Sequence, residues 1–455
     1  MASITIGGLA TGLDTNSIVS QLVALERRRS VGLLQIDQLE QQAKQSALAT
    51  FGTKLADLLA AVDKLRDPSN ALARTATSSD ETTIGATAGS GALLGTTEIT
   101  VSQLARNAIA VSGTGVASED ATIAAGAGSF SFRIGTGDVQ TIAVDASTTL
   151  EGLATAINDL GVGASATVVN LGTASSPDYR LRLATRETGT SNDLTIVADD
   201  TTLGVTVTQT ALNATFTVSG FATAFSRESN IVNDVVSGVT LSLNATGGPV
   251  KIGVTTDTAK VTQDVQAVAD AYNALVAFVD AQSEVSQDTT STDGDVTAGP
   301  LAFDSTVRSI VDGLRTAFSS AIDGLPGDYS LLAEAGLEST RDGTLKLDAA
   351  KLVAALANDE AGVSQLFGGV GATGGAFDSI HDYLTGVTGS GGLLESRTKS
   401  VTYILSTLTE RIAAGERSVT SFEEDLRAQF TRLEVLVSQL QSQGSFLLSA
   451  LGKTA

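Results

Sequence analysis

Hydrophobic residues change their spacing twice along this 455-residue chain. From about Asp14 to Arg66 they recur at every third or fourth position, which is typical of an amphipathic helix. From about Ala76 to Asp257 short runs of Val, Ile and Phe alternate with Thr and Ser, which indicates β-strands. From about Val261 to the end the helical spacing returns. The pattern predicts a β-rich region inserted between two helical regions.

The first helical region carries a long apolar series. Asp14, Thr15 or Asn16 can cap its start, and Asp67 followed by Pro68 ends it, because proline cannot continue the helical hydrogen-bond ladder. Gly32 and Gly52 are points where we expect the helix to bend or divide. The apolar positions of this series are Ile18, Leu22, Leu25, Leu33, Ile36 and Leu39.

The β-rich region contains a hairpin signal and one short helix. Residues 135–138 have the composition of a hairpin turn. Thr149 can cap a helix that stops at Gly161. We also expect the strand at 239–243 to pair with the strand at 250–254 across the glycines between them. The region therefore predicts a small α+β unit within a larger β-rich block.

The last helical region contains the longest apolar series. It follows a polar stretch from Ser283 to Gly299, which predicts a loop. Its positions then advance by three or four residues, apart from one gap across Gly415, and they form a heptad repeat with one four-residue stutter, which locally relaxes the left-handed supercoil. The members of this series are Val401, Leu405, Leu408, Ile412, Val419, Phe422, Leu426, Phe430, Leu433, Val437 and Leu440.

Helices with apolar series of this length have to bury them against a partner. If the two chain ends pair with each other, one molecule satisfies both series. The alternative is that neighbouring molecules complete them, and this is our working hypothesis. The residues that we assign to the coiled coil and to assembly are Ile18, Leu22, Leu25, Leu33, Ile36, Val419, Phe422, Leu426, Phe430, Leu433, Val437 and Leu440.

The composition favours a structural protein over an enzyme. The chain has 28 Lys and Arg against 50 Asp and Glu, so its net charge of −22 makes nucleic acid and anionic membranes poor partners. It contains no Cys, no Trp and a single His, which excludes disulfides, thiolate metal sites and cysteine nucleophiles. We therefore expect no catalytic residues, no metal and no cofactor.

Two features could suggest chemistry, but simpler interpretations explain them better. His381 lies between Asp378 and Asp382, so a hydrolytic triad can be imagined, yet triads are recognised by geometry and not by sequence spacing. Residues 369–374 match the GxGxxG pattern, but they follow a helical segment and not a strand, which favours a flexible loop.

Three further motifs have simple structural explanations. Residues 452–454 resemble the end of a P-loop, but the leading glycine is missing and no strand precedes it. Residues 342–348 resemble a calcium loop with the wrong ligands at most positions, so we expect a β-turn. Arg27–Arg29 could bind a polyanion, although arginines within a helix more often face solvent or acidic residues of a partner helix.

Several short stretches, in order, resemble those of a known family. Residues 8–26 have its N-terminal signature, GLATGLDTNSIVSQLVALE, and the segments at 101–105, 229–232, 238–243, 271–275, 299–302, 342–348, 391–395 and 429–434 agree with it further along. Together they span nearly the whole chain, and their order makes the match specific. The chain resembles the bacterial flagellar filament cap proteins, the flagellar hook-associated protein 2 family. Residues 113–209 show little that can be matched.

The resemblance implies a multidomain α+β fold with paired terminal coiled-coil helices, a helical leg domain and an inserted β-rich head of two subdomains. Residues 1–42 would form the N-terminal coiled-coil helix and residues 415–455 the C-terminal one. Residues 43–75 and 262–414 would form the leg domain. Residues 76–112 with 212–261 would form one head subdomain, and residues 113–211 the inserted α+β subdomain.

The resemblance also implies a function. The family caps the distal end of the flagellar filament as a homo-oligomeric, commonly pentameric ring, and it helps exported flagellin to fold and insert. Its implied partners are flagellin, an export chaperone on the C-terminal helix and the hook–filament junction proteins, with no nucleic acid and no membrane insertion. The start of the chain lacks the pattern of a Sec signal, and the family is secreted through the flagellar type III route.

Three other functions stay open at this point. A flagellin or a hook–filament junction protein would also pair its terminal helices, but the signature at 8–26 disfavours both. A surface adhesin could bind host glycans through the Thr-rich head, and this role can coexist with capping. A hydrolase that uses His381 is the remaining and weakest alternative.

Overall fold

A computed structural model describes residues 14–67, 71–287 and 296–451 of the chain. The chain divides into two compact units. One unit consists of Met1–Pro68 and Thr262–Ala455, and the other of Ser69–Val261. The architecture is mixed helix and sheet, with helices towards both chain ends and a β-rich centre, so the α+β class that the sequence predicts is confirmed.

The helices follow the predicted zones closely. A π-helical turn, Arg28–Gly32, separates the first two of them. In chain order the helices are α1 (Thr15–Arg27), α2 (Leu33–Val62), α3 (Leu150–Asp159), α4 (Thr258–Ser283), α5 (Ser305–Ser319), α6 (Ala349–Asn358), α7 (Glu360–Gly368), α8 (Ala376–Thr388) and α9 (Leu393–Leu451).

Of the three residues that could cap the N-terminal helical region, Asp14 is the one that does so. The carboxylate of Asp14 accepts a hydrogen bond from the backbone N–H of Ser17 at 3.0 Å, which satisfies a free donor of the first turn. The predicted break at Gly32 coincides with the end of the π-helical turn, whereas Gly52 lies inside α2 without interrupting it. Helices α2 and α9 also continue through residues 42 and 415, where the sequence predicts domain boundaries.

Helices α2, α5, α8 and α9 pack together in the helical unit. Each turns one apolar face inward, which is why the apolar positions recur with helical spacing. The fully buried side chains include Phe51 and Leu55 of α2, Ile310 and Leu314 of α5, and Phe377 of α8.

One buried carboxylate connects three of these helices. Asp304 caps α5 through the backbone N–H groups of Thr306 and Val307, and only 2% of its surface is exposed. The Nε of Arg397 in α9 donates to Asp304 Oδ2 at 2.7 Å, and Lys44 Nζ of α2 lies 4.0 Å from the same oxygen. The pairing is needed because a buried carboxylate without a cation is strongly destabilising.

The strands lie mostly in the β-rich unit. In chain order they are β1 (Arg74–Ser78), β2 (Ile84–Ala88), β3 (Gly95–Gln103), β4 (Ile109–Ser112), β5 (Gly128–Ile134), β6 (Gln140–Val144), β7 (Ala164–Asn170), β8 (Tyr179–Thr185), β9 (Leu194–Asp199), β10 (Val205–Gln209), β11 (Ala214–Val218), β12 (Phe225–Arg227), β13 (Ile231–Val232), β14 (Val239–Leu243), β15 (Gly247–Thr256), β16 (Val285–Gln287), β17 (Val296–Ala298), β18 (Leu337–Ser339) and β19 (Leu345–Leu347).

Two hydrophobic cores organise the β-rich unit. The first lies between the antiparallel sheets β1-β15-β3-β11-β12 and β13-β14-β2 and contains Ile99, Phe216 and Leu241. The second lies among the sheets β10-β4-β8-β7 and β6-β5-β9 and helix α3, and it contains Phe130 and Ile157. Thr149 caps α3 and Gly161 follows its end with a φ of +65°, as the sequence predicts.

One sequence prediction about this region is wrong. The strand at 239–243 does not pair with the strand at 250–254, because β14 pairs with β13 and β2 whereas β15 pairs with β1 and β3. Gly247 and Gly248 adopt positive φ values and carry the chain from one sheet into the other. Residue 76 lies within β1, and β4 pairs with β8 and β10 around the second core.

The predicted loop between Ser283 and Gly299 contains two short strands. β16 pairs antiparallel with β17, and Val285 lies opposite Ala298. The polar composition of this stretch hid the pairing, since three-residue strands carry little periodic signal. In contrast, the turn expected at 342–348 is confirmed, because β18 and β19 form a hairpin around Gly343, whose φ is +77°.

One backbone hydrogen bond joins the two ends of the β-rich unit. The backbone N–H of Asp257 donates to the carbonyl of Ala73 at 2.8 Å, so the chain enters and leaves this unit at neighbouring points.

The side chain of Asn158 in α3 forms two hydrogen bonds of 2.9 Å with the backbone of Ala166 in the edge strand β7. Asn158 thereby occupies edge groups that could otherwise pair with another strand.

Candidate assembly interface

The N-terminal helices pair with α9 through a compact apolar seam. Its buried members are Val19 and Val23 of α1, Val31 of the π-helical turn and Val419 of α9. Ile412, Leu426 and Phe430 of α9 pack around them. Since residues four apart lie on one face of a helix, Val19 and Val23 face α9 together. Of the two alternatives that the sequence leaves open, pairing of the two chain ends with each other is therefore present at this seam.

Polar contacts accompany the seam along its length. Arg27 Nε donates to Glu416 Oε2 at 3.0 Å, so one arginine of the Arg27–Arg29 run meets an acidic residue of the partner helix, as expected. Further along, Gln38 Nε2 of α2 donates to Thr409 Oγ1 of α9 at 3.0 Å. These contacts are exposed, so each adds little to stability, but together they fix which faces of the helices meet.

The π-helical turn places Val31 directly against Gly415. Val31 is fully buried, and a Cβ atom built on Gly415 would lie 2.9 Å from Val31 Cγ2, closer than real Cβ atoms come. The gap that Gly415 leaves in the apolar series of α9 is therefore filled by a side chain of the opposite helix. The π-helical turn of one helix thus faces the glycine of the other.

Each of the two paired helices also carries an apolar row that the seam does not cover. We name the exposed residues of the first row the N-terminal stripe: Leu22, Leu25, Leu33, Ile36 and Leu39. The exposed fractions of their surfaces are, in the same order, 38%, 63%, 71%, 54% and 65%. We name those of the second row the C-terminal stripe: Phe422, Leu433, Leu436 and Leu440. Contiguous exposed apolar rows of this kind mark interaction sites.

The predicted assembly residues thus fall into three groups. Val419, Leu426 and Phe430 belong to the seam. Ile18 and Val437 are half-buried. The other seven belong to the two exposed stripes, namely Leu22, Leu25, Leu33, Ile36, Phe422, Leu433 and Leu440. The structure therefore separates residues that the sequence assigns together to the coiled coil and to assembly.

Sequence reasoning missed the N-terminal side of the seam. Val19, Val23 and Val31 are buried there, although the series built from Ile and Leu passes over all three. The spacing of Val19 and Val23 was the available signal, because i and i+4 define a second face of the same helix. Val31 joins them through the π-helical turn, which the residue spacing does not reveal.

The candidate chemical motifs have structural roles. His381 Nε2 lies 3.5 Å from Asp63 Oδ1 and its Nδ1 lies 3.3 Å from Asp382 Oδ1, so the ring contacts carboxylates of α8 and of the end of α2. Residues 369–374 form a turn between α7 and α8, with Val370 paired to Thr373, and therefore follow a helix. Residues 452–454 lie outside the described residues.

The described residues offer no support for metal binding or membrane insertion. Within the described ranges, no group of three or more His, Asp or Glu side chains is placed to hold a metal ion. Among the helices of the same ranges, none is both long and apolar enough to cross a membrane.

Comparison with known proteins identifies the family. The family model described as Flagellar hook-associated protein 2 C-terminus matches residues 211–442, and the corresponding N-terminus model matches residues 11–108. Flagellar hook-associated protein 2 of Escherichia coli (strain K12) is 30% identical over 467 residues, which cover 98% of each chain. The chain belongs to the flagellar hook-associated protein 2 family. The B-type member of this family from Pseudomonas aeruginosa PAO1 is 29% identical over 97% of this chain and 95% of its own.

The fold agrees with a solved member of the hook-associated protein 2 family. The crystal structure of the D1-D2-D3 domains of the flagellar cap protein FliD from Escherichia coli superposes with a TM-score of 0.63 at 28% identity. The match covers 78% of this chain and 99% of that one. The family consists of structural flagellar cap proteins and not of enzymes, so this chain is a filament cap protein whose place is the flagellar tip.

Proposed function

We propose that this cap protein works as a homo-oligomeric, pentameric ring, with α1, α2 and α9 as coiled-coil legs, and that it promotes the folding and insertion of exported flagellin. Further partners in this proposal are an export chaperone that binds the C-terminal part of α9 and the hook–filament junction proteins. Membership of the cap family supports the position at the filament tip. The assembly itself needs a surface on which copies meet.

The N-terminal stripe is the observation that carries the proposal. A leg that acted alone would gain nothing from a second apolar row beside a seam that is already buried. Covering apolar surface contributes roughly 25 cal/mol for each Å², so five exposed Leu and Ile side chains supply a substantial drive for association. Neighbouring copies in a ring are the partners that would cover them.

A single polar substitution in the stripe tests this role. We expect Leu33→Ser, placed in the chromosomal copy of the source bacterium, to weaken oligomer formation because it removes the most exposed member of the stripe. Swimming in soft agar should fall, and unassembled flagellin should accumulate in the medium. Sedimentation velocity of the purified protein reports the oligomer directly.

Tyr403→Ser is the matched control, because Tyr403 lies on α9 outside both stripes and is 74% exposed against 71% for Leu33. We expect this variant to swim and to sediment like the unmodified protein. Normal oligomers, motility and flagellin retention in the Leu33→Ser variant would contradict the proposed role of the stripe.

A groove in the β-rich unit supports a second function, binding of host glycans as a surface adhesin. The groove has a volume of about 560 Å³ and combines the hydroxyls of Thr96, Thr97 and Ser219 with the ion pair of Lys251 and Glu98. Phe221 stands in its lining with 65% of its surface exposed. Hydroxyl and charged groups beside an exposed ring suit a polyhydroxylated ligand.

Glycan binding by the full chain can be measured on a glycan array and then by calorimetry. We expect Phe221→Ala to weaken binding about fivefold, since stacking on an aromatic ring contributes about 1 kcal/mol. Leu171→Ala is the control, because Leu171 is exposed in the same unit but lies outside the groove lining. If both variants bind like the unmodified protein, this groove is not a glycan site.

A further inference from the structure

The two exposed stripes share one spacing pattern once the polar residues between their members are included. In each row the positions advance by three, four, four and three residues. The N-terminal row is Leu22, Leu25, Arg29, Leu33 and Ile36, and the C-terminal row is Phe422, Asp425, Gln429, Leu433 and Leu436. Both rows are therefore apolar at their ends and polar at their centre.

All members of both rows are exposed in the described structure. The seam uses a different face of each helix, since Val23 and Leu426 belong to it whereas Leu22 and Asp425 do not. Each row consequently remains available to a second molecule after the two helices of one chain have paired.

The polar residues of the two rows differ in charge, because Arg29 is positive whereas Asp425 is negative and Gln429 is neutral. Arg29 has a side chain that is 82% exposed and forms only a long contact of 3.9 Å with Glu26 within the described residues. Asp425 forms no ion pair within the same ranges. If two N-terminal rows met, each Arg29 would face the other and like charges would repel. If an N-terminal row met a C-terminal row, Arg29 would lie near a carboxylate and an amide.

We propose that the N-terminal stripe of one copy docks on the C-terminal stripe of a second copy, with Arg29 opposite Gln429 and near Asp425. Because each row is symmetric about its central residue, Arg29 and Gln429 face each other whether the helices run parallel or antiparallel. This inference deepens the proposed homo-oligomer, on which it rests, by naming its two contact surfaces.

Cysteine cross-linking tests the pairing in the full-length protein. The chain contains no cysteine, so Arg29→Cys and Gln429→Cys each introduce a unique thiol. We expect an equimolar mixture of the two single variants to give disulfide-linked dimers under mild oxidation, whereas Arg29→Cys alone gives far fewer. The apolar ends of both rows are retained, so the loss of Arg29 leaves most of the contact surface in place.

A disulfide between these positions cannot form within one chain. Asn16 contacts Arg427, and thirteen residues of helix separate Asn16 from Arg29. At 1.5 Å per residue this places residue 29 roughly 20 Å from the level of residue 427, whereas a disulfide requires Cα atoms within about 7 Å. Cross-links in the mixture therefore report contacts between copies.

Charge reversal provides a second test of the same contact. We expect Arg29→Glu to weaken self-association several-fold in sedimentation equilibrium, and Asp425→Lys in the same chain to restore part of the loss. Arg341→Glu is the control, because Arg341 is an exposed arginine far along the chain from both stripes, in the turn between β18 and β19, and should have no effect.

The outcomes separate this inference from the proposed function. Oligomers that form without any cross-link between positions 29 and 429 would overturn the inference and leave the homo-oligomer intact. Cross-linking of Arg29→Cys with itself as efficient as in the mixture would overturn it as well, because the contact would then join identical surfaces. If the full-length protein forms no oligomer at high concentration, both fail together.

Discussion

At the scale of single residues, Asp304 shows how the helical unit depends on a compensated charge. Its carboxylate caps α5, pairs with Arg397 at 2.7 Å and lies 4.0 Å from Lys44, while almost none of its surface reaches solvent. Removing its main cation leaves a buried negative charge with one distant partner, and that costs far more than the loss of an exposed ion pair.

We expect Arg397→Ala to lower the free energy of unfolding by about 3 kcal/mol, at the low end of the effect for a broken buried pair because Lys44 remains. Lys399→Ala, two residues further along α9, removes an exposed pair with Glu395 and should leave stability nearly unchanged. Denaturant unfolding followed by circular dichroism compares the two. Equal losses would mean that the Asp304 pairing does not stabilise the fold.

Glu334 provides a residue-scale prediction about pH. The backbone N–H groups of Ser330 and Leu331 donate to its carboxylate, and they hold the pKa of Glu334 below its ordinary value of 4.5. Its stabilising effect is therefore complete above pH 4.5 and is lost as the pH falls through the lowered pKa. We expect Glu334→Gln to have a slightly lower melting temperature than the unmodified protein at neutral pH, and the difference to vanish in acid. A difference that persists in acid would exclude this carboxylate as its cause.

At the scale of elements, the contact between Val31 and Gly415 determines how closely the π-helical turn approaches α9. We expect Gly415→Leu to open the seam, because the new side chain would overlap the fully buried Val31. Hydrogen exchange of the α1 amides should accelerate about tenfold or more, which corresponds to 1.4 kcal/mol of lost protection.

Gly444→Leu is the control on the same helix, because no atom lies within 4 Å of a Cβ built at Gly444. It should exchange like the unmodified protein, and leucine is also the better helix former. Unchanged exchange in Gly415→Leu would show that the seam can move aside at this point.

Several elements could be predicted from the sequence because local chemistry determines them. Thr149 caps α3 as predicted, Asp14 is one of the three residues predicted to cap α1, and the turn at Gly343 needs only the local chain. The partners of β14 and of β15 could not be predicted, since strands that are neighbours in sequence compete with partners far along the chain.

The candidate site was predictable only in part, for a related reason. Apolar spacing finds every row that can be buried, but it cannot distinguish a row that the same chain covers from one that it leaves exposed. Leu426 and Phe430 entered the seam whereas Phe422 and Leu433 did not, although all four fit one series. The separation depends on the rotation of one helix against another, which the π-helical turn alters.

At the scale of the whole molecule, the β-rich unit is an insertion with its own two cores. Its chain ends meet at the hydrogen bond between Asp257 and Ala73, and β1 and β15 pair beside it. Domains whose ends lie close together commonly fold when excised.

We expect a fragment of residues 71–257 to fold alone and to unfold cooperatively, because both cores are complete within it. A fragment of residues 79–257 is the control, since it lacks β1 and exposes the edge of β15. It should melt at a lower temperature in differential scanning calorimetry. An unfolded 71–257 fragment would show that this unit needs the helices for its stability.

The seam joins a segment that is translated early to one that is translated late. Asn16 and Arg427 are 411 positions apart in sequence, and Arg27 and Glu416 are 389 apart. Contacts between such distant positions form late, because the intervening chain must first be brought to order. The first helix therefore has no partner until the last one has emerged, and a truncated polypeptide would keep Val19 and Val23 bare. Completion of the seam thus distinguishes a finished molecule from an unfinished one.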